Sequence, residues 1–162
     1  MTTDLEALGQ TIKRAQYRNH RTMDTALRPA GVTLVQWDAL RAVDRMPHAS
    51  GHDLAVATFQ SDQAFGTLAN RLVDRGLITR SAGRGRRIEH ALTEEGAAAL
   101  RSGQAIARGV LEDLFAPLDE SERHTLERVL TRLLRHEAGG STPAEPGMTE
   151  RAHPLDEGHG RA

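Results

Sequence analysis

A short stretch of the chain, from Gln63 to Asp74, carries side chains that could recognise a nucleic acid. Apolar residues recur there at the i, i+3, i+4, i+7 spacing of a buried helical stripe, namely Phe65, Leu68, Ala69 and Leu72. A rotation of about 100° per residue places polar side chains on the outward face, namely Gln63, Thr67, Asn70 and Asp74. Amide side chains can each make two hydrogen bonds to an adenine edge, and threonine can contact a thymine methyl. The spacing predicts a helix that reads DNA bases.

The residues on either side of this helix predict how it begins and ends. Ser61 is a good N-cap, because its hydroxyl can accept a hydrogen bond from a free amide of the first turn. Arg75-Gly76 predicts the end, since glycine adopts the left-handed closing conformation without penalty. A β-hairpin is then predicted from a strand over Leu77 to Ser81, a turn over Ala82 to Gly85 and a returning strand over Arg87 to Leu92.

The predicted hairpin concentrates positive charge. The arginines at its tip are Arg84, Arg86 and Arg87, and Arg80 lies on the near strand. Guanidinium groups on a protruding loop suit phosphate oxygens or a narrow minor groove. From Arg71 to Arg87 the chain holds six arginines against the single Asp74, although its formal net charge is −1. This local surplus indicates contact with a nucleic-acid backbone, with Ser61 and Arg71 positioning the helix on phosphates.

The segment before the reading helix predicts a partner helix. Ser50 is expected to cap a short helix over Gly51 to about Thr58. The side chains expected to turn inward are Leu54, Ala55 and Phe59. So few residues separate this helix from the next that the pair makes a helix-turn-helix. An ordinary helical hairpin inside a core would give the same pattern, but the arginine-tipped hairpin that follows favours DNA binding.

Four further helices are predicted around this unit. They run from Asp4 to about Leu27, from Thr33 to about Met46, from Thr93 to Phe115, and from Asp119 to about Glu137. The second begins with a Thr33–Gln36 capping box and is apolar on most sides, so it should be the centre of the core. The first, fifth and sixth helices of the chain are more apolar than a compact core requires. Spare apolar stripes of this kind usually meet a second copy of the chain.

The length and composition of the chain limit the classes of protein to which it can belong. A chain of 162 residues needs only one core, and the polar, Gly- and Pro-rich residues 138–162 should form a disordered tail. Because cysteine is absent, disulfides, thiolate zinc ligands, a cysteine nucleophile and a thiol redox switch are excluded. No apolar run approaches the roughly 20 residues of a membrane span, and the polar N-terminus is no signal peptide. We therefore expect a cytoplasmic protein without a membrane partner.

The sequence does not favour a catalytic or metal-binding site. Gly83-Arg84-Gly85 begins like a dinucleotide fingerprint, but position 88 is isoleucine and no helix opens there. No nucleophile elbow or metal-protease histidine pair occurs in the sequence. His48 and His52 straddle a helix start, and the remaining histidines, including His153 and His159 of the tail, lack ligand spacing. The sequence predicts neither an enzyme nor a cofactor or metal site.

Several short motifs are informative because of the order in which they occur along the chain. They are Thr33 to Leu40, Leu54-Ala55, the run Leu72-Val73-Asp74-Arg75-Gly76-Leu77-Ile78, the arginine-bearing hairpin, and Leu92-Thr93-Glu94-Glu95-Gly96. Together they resemble the MarR family of bacterial transcription regulators, over roughly Asp4 to Glu137. The Arg-Gly-Leu-Ile and Leu-Thr-x-x-Gly pieces are moderately specific singly and strong as an ordered set.

The resemblance implies a mainly α-helical fold with a small β-hairpin wing, that is, a winged helix-turn-helix flanked by N- and C-terminal dimerisation helices. Residues 1–32 and 94–137 would then form the dimer, residues 33–93 would bind DNA, and residues 138–162 would be the tail. The implied function is a homodimeric regulator, repressor rather than activator, on a near-palindromic operator. A winged helix used only for protein contacts is the alternative, although it would need no arginine-tipped wing.

The resemblance also implies a small effector, often an aromatic acid, bound between the dimer and DNA-binding regions. Candidate contacts on the first two helices are Tyr17, His20, Arg21, Trp37 and Arg41. An arginine among them could pair with an effector carboxylate. The alternative for Trp37 is that it simply fills the core.

The chain departs from the family pattern at three places. The wing usually reads aspartate, any residue, arginine, whereas Arg84, Gly85 and Arg86 stand here. The reading helix lacks the common Ser-x-Val-Thr-Arg pattern, so the operator sequence cannot be transferred from relatives. The turn position often filled by glycine is Phe59, which implies a reshaped turn or a strained positive φ.

Overall fold

The computed structural model describes residues 2–83 and 88–137, so the wing tip and the tail lie outside it. The helices are α1 (Leu5–Ala26), α2 (Leu34–Arg45), α3 (Gly51–Ala57), α4 (Asp62–Asp74), α5 (Glu94–Phe115) and α6 (Glu120–Glu137). The strands are β1 (Ile78–Ala82) and β2 (Ile88–Leu92), and a short 3-10 helix, Arg28–Ala30, follows α1. The predicted fold class, mainly helical with one hairpin, is confirmed.

Side-chain caps begin the helices where the sequence places them. The Asp4 carboxylate accepts hydrogen bonds from the amides of Glu6 and Ala7 at the start of α1. Thr33 with Gln36 and Ser50 with Asp53 form complete capping boxes at α2 and α3. Reciprocal hydrogen bonds of 2.9 Å join Asp119 and Glu122 at the start of α6. Each cap satisfies amides that would otherwise lack partners, which fixes where these helices start.

The hairpin pairs β1 and β2 antiparallel, with Arg80 opposite His90 and Ile78 opposite Leu92. Ile78 is buried and ties the hairpin to the core, whereas Ile88 is exposed. One face of β2 carries Ile88, His90 and Leu92, of which only His90 and Leu92, near the base of the wing, are half-buried. The outer part of the hairpin extends beyond the core.

A tight junction joins the end of α4, the base of the wing and the start of α5. Gly76 adopts φ +67 and closes α4, as predicted. The hydroxyl of Thr93 donates to the Gly76 carbonyl at 2.6 Å and accepts from the Gly96 amide at 3.0 Å. Gly96 itself lies so close to the backbone of Leu77 that a Cβ there would come within 1.9 Å of the Leu77 carbonyl oxygen. The junction therefore requires glycine at position 96.

The core lies between α2 and the helices around it. Its largest fully buried side chains are Leu27, Leu40, Leu54, Phe65, Leu72 and Ile78. On α2, Trp37 is 5% exposed and its indole N–H donates to the Leu100 carbonyl at 3.3 Å. Val35 is exposed, which corrects the expectation that this face of α2 is also buried. Gly103 on α5 faces the indole ring, where a Cβ would lie 2.4 Å from ring atoms.

Phe59, in the turn between α3 and α4, is not turned inward as predicted. Its side chain is 98% exposed and its φ is +55, in the left-handed region. The periodicity argument failed because α3 ends at Ala57, so the helical spacing does not extend to position 59. The strained-φ alternative is the one observed, and for a residue other than glycine it costs about 1–2 kcal/mol.

The chain divides into two units, Met1–Pro117 and Leu118–Ala162. In the first, α1 leaves Leu5, Leu8 and Ile12 exposed. In the second, α6 exposes an apolar stripe made of Leu126, Val129, Leu130, Leu133 and Leu134. Within residues 2–83 and 88–137, no helix is long and apolar enough to cross a membrane.

Candidate nucleic-acid interface

Helix α4 presents the polar face that its sequence predicts. Its inward side chains, all buried, are Phe65, Leu68, Ala69 and Leu72. Its outward side chains, all exposed, are Gln63, Thr67, Asn70 and Asp74. The Thr67 hydroxyl donates to the Gln63 carbonyl at 3.1 Å, so the Thr67 methyl is the group left free to contact a base. The outward face thus offers amides and a methyl, the groups that suit a major-groove edge.

The start of α4 is held by two contacts. The Ser61 hydroxyl accepts a hydrogen bond from the Ala64 amide at 3.2 Å, as its role of N-cap requires. Asp62 lies 2.9 Å from the His52 ring nitrogen Nδ1, which links α4 to α3. The sequence argument did not assign this pair. It positions a carboxylate in the first turn, where the helix dipole stabilises negative charge.

Arg80 on β1 connects the wing to the outward face of α4, a role the sequence did not reveal. Its Nη1 donates to Asn70 Oδ1 at 2.5 Å and its Nη2 lies 3.5 Å from the Gly66 carbonyl oxygen. Its Nε donates to His90 Nε2 at 3.3 Å. The Arg80 guanidinium therefore contacts the outward face of α4, the α4 backbone and β2 at the same time.

This arrangement favours the neutral form of His90. Burial, and then the charge of Arg80, lower the pKa of His90 below its ordinary value. Since Nε2 accepts the Arg80 hydrogen bond, the ring proton belongs on Nδ1, which is buried and without a partner among the described residues. The ring also packs edge-on against Phe65, with centroids 6.0 Å apart.

We expect His90 to make folding stability depend on pH. Because the folded protein resists protonation of His90, the unfolded chain binds more protons as pH falls below about 6.5. Stability should therefore fall through that region and level off below the lowered pKa of the folded state. Urea unfolding of the wild type and of His90→Gln at several pH values tests this, since glutamine cannot titrate. An identical pH profile in both proteins would contradict it.

The remaining positive charges predicted to touch DNA divide into two groups. Arg71 is exposed on α4. The wing-tip residues Arg84, Arg86 and Arg87 lie outside the described residues. The two strands flank these residues in the sequence, since β1 ends at Ala82 and β2 begins at Ile88.

Four of the five candidate effector contacts fall into two pairs of stacked side chains, and His20 is in neither pair. The Arg21 guanidinium lies 5.8 Å from the Tyr17 ring centroid on α1, and the Arg41 guanidinium lies 4.6 Å from the Trp37 ring on α2. Trp37 is buried in the core. Arg41 also pairs with Asp38 at 3.2 Å. Burial raises the pKa of Asp38, an effect that Arg41 and, more weakly, His20 oppose.

Histidines near the interface pair with separate carboxylates. His48 contacts Glu89 at 3.0 Å, and His52 contacts Asp62. Across residues 2–83 and 88–137, no three histidine, aspartate or glutamate side chains come together as a metal ion would require.

Comparisons with known proteins agree with this architecture. A model described as MarR family matches residues 30–88. The HTH-type transcriptional repressor Rv2887 of Mycobacterium tuberculosis is 29% identical over 113 residues, covering 68% of this chain and 81% of that protein. The crystal structure of a probable transcriptional regulator from Pseudomonas aeruginosa is 31% identical, with a TM-score of 0.70, over 77% of this chain and 95% of that chain.

Two crystal structures of Rv2887, itself described as a MarR family protein, are also similar to this chain. One is a complex with DNA, 26% identical, with a TM-score of 0.64 over 78% of this chain and 96% of that chain. The other is a complex with p-aminosalicylic acid, 28% identical, with a TM-score of 0.65 over 78% of this chain and 97% of that chain.

Proposed function

This chain belongs to the MarR family, and from that premise we propose that it is a DNA-binding transcription repressor that acts as a homodimer on a near-palindromic operator. Its relatives support the proposal, because one is named a transcriptional repressor and the same protein has been crystallised with DNA. Those relatives are regulators by name, so the proposed role is regulatory rather than catalytic. It would be carried out in the cytoplasm, where bacterial DNA lies.

The single observation that carries this proposal is the outward face of α4. Gln63, Thr67 and Asn70 are exposed there, although the opposite face of the helix is packed into the core. We assign base contacts to these three residues. Contacts with phosphates are assigned to Ser61 and Arg71 beside them, and contacts with the flanking groove to Arg84, Arg86 and Arg87 of the wing.

Unpartnered apolar surface supports the homodimer. Exposed leucines and isoleucine on α1, and the apolar stripe of α6, would be covered by a second copy of the chain. We therefore assign residues 1–32 and 94–137 to dimerisation and residues 33–93 to DNA binding. A two-fold dimer would offer two copies of α4, as a near-palindromic operator requires, about 34 Å apart.

A small aromatic or anionic effector is proposed to lower operator affinity. The complex of Rv2887 with p-aminosalicylic acid supports this ligand class. In this chain the candidate contacts are the stacked pairs Tyr17–Arg21 and Trp37–Arg41, together with His20, whose charge acts on the Asp38 carboxylate. Regulation requires that the effector bind better to a dimer whose two α4 helices no longer match the pitch of DNA.

The salt dependence of DNA binding tests the proposal. We expect the wild-type protein to bind the DNA upstream of its own gene, with affinity that falls as salt rises. Replacing Arg84, Arg86 and Arg87 with alanine should lower the slope of log affinity against log salt by about 5, if all three touch phosphates in both protomers. Fluorescence anisotropy over a salt series measures the slope.

Two results would count against this function. DNA affinity that does not respond to salt would overturn DNA binding itself. A slope unchanged by the triple substitution would remove the wing from the interface. The variant Arg151→Ala is the control, because Arg151 belongs to the tail, to which neither DNA binding nor dimerisation is assigned.

A further inference from the structure

The contact between Arg80 and Asn70 fixes which atoms of the Asn70 carboxamide face outward. A guanidinium has only N–H donors, so the Asn70 atom 2.5 Å from Arg80 Nη1 must be the carbonyl oxygen. The amide group Nδ2, with its two N–H donors, is the part that this contact leaves free. Arg80 is itself restrained by His90 and by the Gly66 carbonyl, so two further contacts support this orientation.

This orientation changes the chemistry that position 70 offers to a base. Recognition of adenine by asparagine uses the carbonyl oxygen as acceptor for the adenine amino group and the amide as donor to N7. Here a charged donor already takes one of the two lone pairs of that oxygen, and a second donor brought beside it would meet the positive guanidinium. Guanine presents two acceptors in the major groove, N7 and O6, and no donor. The guanine edge therefore suits the Asn70 amide and Arg80 better than the adenine edge does.

Arg80 adds to the same preference. Its contacts engage three of the five N–H groups of a guanidinium. The remaining donors lie beside the Asn70 amide on an exposed side chain. Asn70 and Arg80 together thus form a cluster of donors with one positive charge, which favours an edge made of acceptors.

We propose that Arg80 is a positioning residue that makes Asn70 a reader of guanine rather than adenine, so that each operator half-site carries a guanine opposite position 70. This inference rests on the proposed DNA-binding function and assigns its base specificity at one position. It differs from the adenine contact that the residue type alone predicts.

Selection from a library of randomised DNA duplexes tests the proposal. The wild-type protein should prefer guanine over adenine at one base pair of each half-site by about 5- to 150-fold, the range for one well-made pair of base contacts. Arg80→Ala frees the Asn70 oxygen, so guanine should lose its advantage there and adenine should become at least equal. All other positions should keep their preferences.

A second variant tests the same contact by changing Asn70 instead of Arg80. Asn70→Asp keeps an acceptor for Arg80 but removes the amide donors, so the guanine preference should disappear at that base pair while the wing contact survives. Arg151→Ala, in the tail, should leave the selected sequence unchanged. Circular dichroism of each variant establishes that it is folded before its profile is compared.

The outcomes separate this proposal from the function on which it rests. If Arg80→Ala weakens binding to every sequence equally and lowers the salt slope, Arg80 is a phosphate contact and the proposal is wrong. If the wild type selects adenine at that position, the proposal is also wrong, although DNA binding stands. A protein that enriches no sequence and shows no salt-sensitive affinity would overturn the proposed function as well.

Discussion

We expect the Gly96→Ala variant to be less stable than the wild-type protein by about 3 kcal/mol, because the new Cβ would overlap backbone rather than a movable side chain. Its position would be 1.9 Å from the Leu77 carbonyl oxygen, and that oxygen already accepts the Thr93 amide at 3.1 Å. Relief would require the start of α5 to move away from the wing. A loss of this size lowers the melting temperature by about 6–12 °C.

Thermal unfolding followed by circular dichroism measures this change, and the same helix provides a matched control. Gly109 also lies in α5, and a Cβ there would meet nothing within 4 Å. Gly109→Ala should therefore raise stability by about 1 kcal/mol, through helix propensity alone. If Gly96→Ala melted at the wild-type temperature, the close approach of α5 to Leu77 would be wrong.

Phe65→Ala should cost about 3–5 kcal/mol of folding stability, since it removes a large side chain from a packed core and leaves a cavity. Phe65 is 2% exposed and its ring packs against His90 of the wing. The variant should therefore weaken the joint between α4 and the hairpin as well as the core. Urea denaturation gives the free energy of unfolding.

Phe59→Ala is the matched control for this substitution. It makes the same chemical change in the same part of the chain, but at a side chain that is 98% exposed. Its effect should stay within about 0.5 kcal/mol, as for other exposed positions. Equal losses at positions 59 and 65 would show that burial does not distinguish the two phenylalanines.

Local chemistry made most of the helix boundaries predictable. Thr33, Ser50, Ser61 and Asp119 each act through the residue three positions further on, so sequence spacing alone reveals them. Gly76 is predictable for a similar reason, because closing a helix in the left-handed region is a local event. The periodicity of α4 likewise fixed which of its faces is outward.

What the sequence missed depends on contacts between distant segments. Arg80 lies ten residues from Asn70 and reaches it only because the hairpin folds back on α4. The inward orientation expected for Phe59 failed because a helical period was extended beyond the end of its helix. The need for glycine at position 96 is likewise invisible until Leu77 is brought against α5. The Arg80 contact and the need for glycine at position 96 follow from tertiary packing, which no local pattern encodes.

Trp37 is the one tryptophan of the chain, and its surroundings give the protein a built-in optical probe. Its indole is buried between α2 and α5, with a cation stacked on its face. Fluorescence excited at the indole band must therefore come from this position alone. Any ligand that draws the Arg41 guanidinium away, or any rearrangement of α5 against α2, would register as a change in emission without an added label.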